Sequence, residues 1–512
     1  MIQRKQNMIT TLVLLPLIGV LLILILNRVY LSSQNEKTTI YMDVGIGASI
    51  ITFLLSIVIW LGFDSSYEGY QYINVISSEN LTQYHFYLGL DGLNLFFVLL
   101  TTFITPIALL SNYSTFTNKD NIMMYVICFL LLETLQLLTF LSLDLFMFYV
   151  FFESVLPILF IIIIVYGSGI NRIRSAYLLF LYTLFGSLFM LLAILTIYNY
   201  ASTTDFLSLS LKEINFDNQK WLWIAFFIAF AVKTPLWPLA SWLYRAHADS
   251  PLAGSILLAG TILKLATYGF LRISISILPD GCAYYGPLVQ TIAIISLIYA
   301  SLSTIIQEDT KVLVAYSSIA HMAVVVLGLF SNTTIGIEGA ILLSIAHGFV
   351  SPALFMCVGG VIYDQLHSRQ IKSISGLVTY MPIFSILFLI FTLSNTGIPL
   401  SLNFLGEQLA LIGVWESNPI VAILGATGIV LSACYSVFFY NKLTFGVYTM
   451  HKRELYIQNV DKSLHLTVPQ DLNRRELVLL VTLLIPTILL GICPGSVLES
   501  LHIAVNQLIY TI

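Results

Sequence analysis

The chain has 512 residues, 58% hydrophobic and only 9% charged, with a mean hydropathy of +0.92 and a formal net charge of −4. Soluble domains carry roughly 25% charged residues, so this composition excludes a soluble globular protein and points to a membrane. The small acidic balance gives no electrostatic footprint for nucleic acid, which is excluded as a partner.

Arg4 and Lys5 precede a first apolar run at 8–26. It is long enough to span a bilayer, and Asn27-Arg28 offers no small-residue cleavage site. It reads as a first transmembrane helix rather than a cleaved leader. Further apolar runs lie near 40–63, 93–111, 121–141, 145–166, 175–199, 221–243, 251–277, 284–306, 311–331, 335–363, 377–414, 419–440 and 476–495. The expected fold is therefore an all-α polytopic membrane protein of about 14 transmembrane helices. Between the sixth and seventh runs, "DFLSLSLKEINFDNQK" (205–220) reads as a short interfacial amphipathic segment. Residues 441–475 read as a solvated connection carrying both charge signs, and residues after 495 as a short tail. The cysteines, Cys128, Cys282, Cys357, Cys434 and Cys493, show neither CxxC nor metal-ligand spacing and read as small hydrophobes.

Basic residues test this topology, because they concentrate on one side of a membrane. Loops after odd-numbered helices, with the hydrophilic loop at 441–475, receive fifteen of the 22: Arg28, Lys37, Lys119, Arg172, Arg174, Arg245, Lys311, Arg369, Lys372, Lys442, Lys452, Arg453, Lys462, Arg474 and Arg475. The opposite side receives Arg4, Lys5, Lys212, Lys220 and Arg272. A missed or invented helix would scramble that asymmetry, so both termini are expected to face away from the basic side. Lys233 and Lys264 remain, and both fall inside apolar runs.

Other ionisable groups share that placement. Glu133 lies in the fourth run, Glu153 in the fifth, His321 in the tenth, His347 in the eleventh and Glu407 in the twelfth. Ionisable groups are costly in hydrocarbon, and helix packing needs only Ser, Thr or Asn. Seven groups that change charge, spread over seven helices, are the material of a proton relay. Pro235 and Pro238 interrupt the seventh run, and "SNTGIPLSLNF" (394–404) the twelfth. Five helices separate the breaks. That spacing predicts two inverted five-helix repeats, helices 4–8 and 9–13, with discontinuous helices 7 and 12. The expected organisation is 1–120 for helices 1–3, 121–283 and 284–448 for the repeats, and 449–512 for loop, helix 14 and tail. Ser250 is expected to cap the eighth helix, with Pro251 at its first position. His247 and Asp249 of "AHADSP" either guard a proton entrance or shape a turn, and the sequence leaves both open. "GIGASI" (45–50) lacks the third glycine and lies in a span, so it is no dinucleotide loop.

The stretch "AVKTPLWPLASWLYRAHADSPLAGSILLAGTILKLATYGFLR" (231–272) closely resembles the proton-conducting membrane subunits of respiratory complex I, a family that includes antiporter and membrane-bound hydrogenase chains. "LGLDGLNLFFVLLTTF" (88–103), "FYVFFESVLPILF" (148–160), "QEDTKVLVAYSSIAHM" (307–322), "AHGFVSPALF" (346–355) and "NFLGEQLAL" (403–411) match in family order. The resemblance implies Glu153 and Lys233 as a charge pair at the first break, Lys264 as central relay lysine, and His321 and His347 as the link to a terminal Glu407. Glu133 matches an acidic family position. Glu407 stands where chain 2- and chain 5-like relatives carry lysine, and the tail is too short for the lateral helix of chain 5. Tyr244 and Asp249-Ser250 depart from the family's proline and Glu-Ala. The resemblance further implies other complex I membrane-arm subunits as partners, chain 2- and chain 5-like ones included, together with lipids and protons. It places NADH, FMN, iron–sulfur clusters and ubiquinone in partner subunits and none in this chain, with metal sites absent. Composition suggests the mitochondrial inner membrane, with both termini in the intermembrane space, or a bacterial plasma membrane. The alternative is a cation/proton antiporter subunit of an Mrp-type or hydrogenase-type complex.

Overall fold

The computed structural model describes residues 2–29, 34–76, 86–113, 121–446 and 470–510. Eleven of the described helices are long and apolar enough to cross a membrane. The other three expected spans are the shorter Leu95–Ser111 and two discontinuous helices, Phe216–Lys233 with Ser241–Asp249, and Pro382–Asn395 with Leu402–Ser417. All fourteen expected spans are thus helical, numbered below in chain order.

Within the expected all-α fold, Gln71–Ile76 and Phe86–Leu90 add one antiparallel hairpin. Two local expectations are corrected. Residues after 495 form a helix, Gly495–Tyr510. Of the segment 205–220, only Phe206–Ser210 is a separate short helix, because residues from Phe216 onward already belong to span 7. Most of the expected solvated connection, 447–469, lies outside the described residues.

Burial sorts the spans into a ring and an axis. Spans 1, 2 and 6 expose large apolar side chains such as Leu21, Leu54 and Phe185, as a lipid- or subunit-facing surface requires. Spans 8 (Leu252–Ile275) and 11 (Thr334–Leu366) are buried throughout their apolar windows. Both contain π-helical turns, Leu258–Ile262 and Phe270–Ile275 in span 8 and Met356–Ile362 in span 11. Such turns recur at functional sites. Span 11 packs antiparallel on the second half of span 12 through glycines. A Cβ on Gly339 would meet the Ala410 nitrogen, one on Gly406 the Leu343 backbone, and one on Gly413 the Gly336 backbone, each within 2.6 Å.

At the span 7 break, Pro235 brings no N–H, and the freed groups find protein partners. Leu236 N–H bonds Ala231 O at 2.9 Å, Trp237 N–H bonds Ser296 Oγ at 2.8 Å, and the Trp242 indole N–H bonds Val232 O at 2.9 Å. At the span 12 break, Gly397 and Leu400 both have positive φ, +73° and +79°. Ser401 then caps the second half by accepting from Phe404 N–H. The expected cap of span 8 is corrected by one residue. Pro251 occupies the cap, while the Ser250 hydroxyl turns to Ser255 Oγ at 2.6 Å.

Candidate functional site

Four of the sequence-predicted residues form one buried cluster on the central axis. Lys264 follows the first π turn of span 8, and its Nζ donates to Ala259 O within that turn. The same Nζ lies 2.8 Å from His347 Nδ1 in span 11. When Lys264 is an ammonium, which has only donors, Nδ1 accepts and a neutral His347 carries its proton on Nε2. The rings of His347 and His321 follow with centroids 6.0 Å apart. His321 Nδ1 then meets Glu407 Oε1 at 2.9 Å, while Tyr435 OH sits 3.4 Å from Nε2. All four residues are at most 4% exposed. Gly397 makes this possible at the span 12 break, because a Cβ there would lie 2.7 Å from Glu407 Oε2.

Glu153 and Lys233 lie on neighbouring spans 5 and 7, near enough for their charges to act on one another. Among the described residues no ion pair within 4 Å joins them. Lys233 Nζ instead donates to Phe152 O at 2.9 Å and stands 3.3 Å from the centroid of the Phe152 ring. Glu153 Oε1 is buried without a hydrogen-bond partner among the described residues. Glu133 is fully buried and accepts from Thr52 Oγ1 at 2.7 Å, which ties span 4 to span 2. Among the described residues, neither Glu133 nor the Lys233 region bonds directly to the Lys264–Glu407 cluster.

Two basic residues counted with the loops are buried within the spans. Lys311 is 2% exposed and donates to Ser250 O at 2.9 Å, in the first turn of span 10, where the Asp309 carboxylate caps the helix. Arg272 is 6% exposed inside the second π turn of span 8. It pairs with Asp91 and donates to the Tyr70 and Tyr268 hydroxyl oxygens. Both basic groups sit within a turn or so of a span end, where a linear count of apolar runs assigns them to loops. The Asp91 partner was legible only as part of "LGLDGLN".

His247 is fully buried and stacked on Phe355 with centroids 4.4 Å apart; neither ring nitrogen has a hydrogen-bond partner among the described residues. Asp249 accepts from Ser175 Oγ and, through its carbonyl, from Ser168 N–H. Arg369 bonds Ala248 O and Ser168 Oγ, so the "AHADSP" turn is fastened to two other loops. Of its two open readings, shaping a turn describes Asp249. Among the described residues, no three His, Cys, Asp or Glu side chains converge where they could hold a metal ion.

A buried file of amine, imidazoles and carboxylate, hydrogen-bonded at both ends, can accept, hold and pass protons, since each member has both a protonated and a deprotonated form. Comparisons with known proteins give the family. Residues 142–432 match the family described as NADH:quinone oxidoreductase/Mrp antiporter, TM. NADH-ubiquinone oxidoreductase chain 4 of Mycosarcoma maydis is 52% identical over 504 residues, covering 98% of this chain and all of the relative. The chain 4 of Marchantia polymorpha is 44% identical, covering 97% and 96%. A chain of respiratory complex I from Thermus thermophilus with bound NADH superposes with a TM-score of 0.84 at 27% identity, over 98% of this chain and 99% of that one. On this match over more than half its length, and these near-full-length relatives, the chain belongs to the NADH:quinone oxidoreductase/Mrp antiporter transmembrane family.

Proposed function

We propose that the chain is a proton-translocating membrane-arm subunit, of the chain 4 type, in a respiratory NADH:ubiquinone oxidoreductase. The observation that carries this reading is the Lys264–His347–His321–Glu407 file, buried between spans 8, 10, 11 and 12. In it, Lys264 supplies a proton to His347, and the His321–Glu407 pair receives it. Glu153 and Lys233 act upstream as a switch. Lys233 held on Phe152 O and its ring is one state, and Lys233 drawn onto the Glu153 carboxylate is the other. An ion pair at 4 Å is worth about 4 kcal/mol at an effective dielectric near 20. Moving one charge against ~150 mV takes roughly 3.5 kcal/mol. The switch is therefore of the size needed to gate a proton without trapping it. Glu133, tied to Thr52, is assigned a peripheral place in the same pathway.

NADH, flavin, iron–sulfur and ubiquinone chemistry belong in this reading to partner subunits, and their free energy arrives as a conformational or electrostatic stroke. The five-helix units 121–283 and 284–448 are proposed as the two inverted halves of the pathway, each with its own broken helix. The mitochondrial inner membrane is the proposed location, with both termini on the intermembrane-space side.

The test uses the assembled complex in sealed membranes. Lys264→Ala and Glu407→Gln are expected to depress proton uptake per NADH oxidised, while the Tyr41→Phe control, distant from the file, matches wild type. Unchanged pumping in both variants would overturn the proposal. A strict sodium requirement for transport would favour the antiporter reading.

A further inference from the structure

The file has a gap. His347 and His321 share no hydrogen bond among the described residues, and both nitrogens of His321 already face other partners. His347 Nε2, the nitrogen that carries the proton when Nδ1 accepts from Lys264, is buried without a partner among the described residues. Asn403 is in the same condition. It is 1% exposed, and neither its Oδ1 nor its Nδ2 has a partner among the described residues.

The helix register brings these orphans together. Spans 11 and 12 run antiparallel with Gly336 against Gly413, Gly339 against Ala410 and Leu343 against Gly406. Continued by one turn, that register sets Ala346, with His347 next to it in the chain, opposite Asn403. Asn403 is also four residues before Glu407, so the two side chains share one helix face. A buried amide left unbonded costs about 1–3 kcal/mol, and buried polar groups are satisfied almost without exception. With no protein partner at hand, the small molecule that meets an amide oxygen, an amide N–H and an imidazole N–H together is water.

We infer that Asn403 is a positioning residue of the relay, its amide fixing a water that carries the proton from His347 across to the His321–Glu407 pair. This rests on the relay reading above. In the step, the Lys264 ammonium gives a proton to His347 Nδ1 while Nε2–H gives its own to the water. The water passes one proton to the Glu407 carboxylate. Lys264 is left as a neutral amine, His347 as the other neutral tautomer and Glu407 as a neutral carboxyl, so one proton has moved and the water is regenerated. Asn403 itself neither gains nor loses a proton.

The experiment compares Asn403→Leu and Asn403→Ser with Glu407→Gln in the assembled complex in sealed membranes, reading proton uptake per NADH oxidised. Asn403→Leu fills the space with an apolar side chain, and its relay step is expected to slow by about fivefold to a hundredfold. Asn403→Ser keeps a donor and an acceptor and is expected to recover most of the loss. Wild-type pumping by Asn403→Leu, or equal loss in both Asn403 variants, would overturn the inference. If Glu407→Gln also pumps normally, the relay reading falls with it; if Glu407→Gln alone is defective, only the role of Asn403 falls. Should Asn403→Leu fail to accumulate, a high-resolution map of the native complex decides. An ordered water bonded to both Asn403 and His347 supports the inference, and an Asn403 amide bonded only to protein refutes it.

Discussion

Gly397→Ala tests whether the span 12 break exists to seat a carboxylate. Two costs follow from the structure. At φ +73° an alanine is held in the left-handed region, at about 1–2 kcal/mol. The new Cβ would also lie 2.7 Å from Glu407 Oε2. Restoring ordinary contact requires the carboxylate to retreat by about 0.7 Å. The Glu407–His321 bond, made by the other carboxylate oxygen at 2.9 Å, would be re-aimed and weakened as the carboxylate turns aside. A hydrogen bond to a charged group is worth about 1.5–3 kcal/mol, so a step that depends on it should slow by roughly 10- to 150-fold. The assay is proton uptake against NADH oxidation in sealed membranes, with complex content measured on native gels. Gly286→Ala is the control, because a Cβ there meets nothing within 4 Å. Pumping by Gly397→Ala at the wild-type rate would refute the reasoning, as would an equal loss in the control.

Two further outcomes concern the frame around the relay. Arg272→Ala leaves Asp91 buried and unpaired, at a cost of about 3–5 kcal/mol, and assembled complex on native gels should fall sharply. The double variant Arg272→Met with Asp91→Leu should recover most of it. Trp242→Phe removes the donor to Val232 O at the first break, a loss of about 1–2 kcal/mol. It should lower the temperature at which the complex loses activity, and no change in that temperature would show the indole bond to be dispensable.

The spans were legible because hydropathy over about 20 residues is a collective signal that single polar residues do not erase. The relay groups were legible for the opposite reason, since each interrupts such a run. Lys311 and Arg272 escaped because a count along the chain sees only distance to a span end. Burial of Lys311 depends on Ser250 from a distant segment, and burial of Arg272 on Asp91. The hairpin strand "QYINVI" is rich in aromatic and β-branched residues, but its signal is short beside the helical background. Gly495–Tyr510 is too weakly apolar for a span, and it becomes ordered structure by packing, with Val497, Leu501 and Val505 buried. Adjacency of Glu153 and Lys233 could be read from the resemblance, whereas the hold of Phe152 on the ammonium is a matter of rotamer and ring position. Asn403 gave no signal at all, because a lone asparagine one turn before a glutamate is ordinary in any helix.

The wide turn at Leu258–Ile262 has a consequence for how span 8 tolerates change in length. Each residue of an α-helix advances the azimuth by about 100°, and a π turn accommodates one more residue than the α-helix would. Deleting a single residue there would let the segment relax to regular winding with Lys264 nearly in phase, whereas regular winding with no residue lost would swing Lys264 about a quarter-turn around the barrel of its helix. The amine would then face away from His347 with every side chain chemically unaltered. Span 8 is thus dialled by its winding, and its phase, more than its composition, decides what Lys264 can reach.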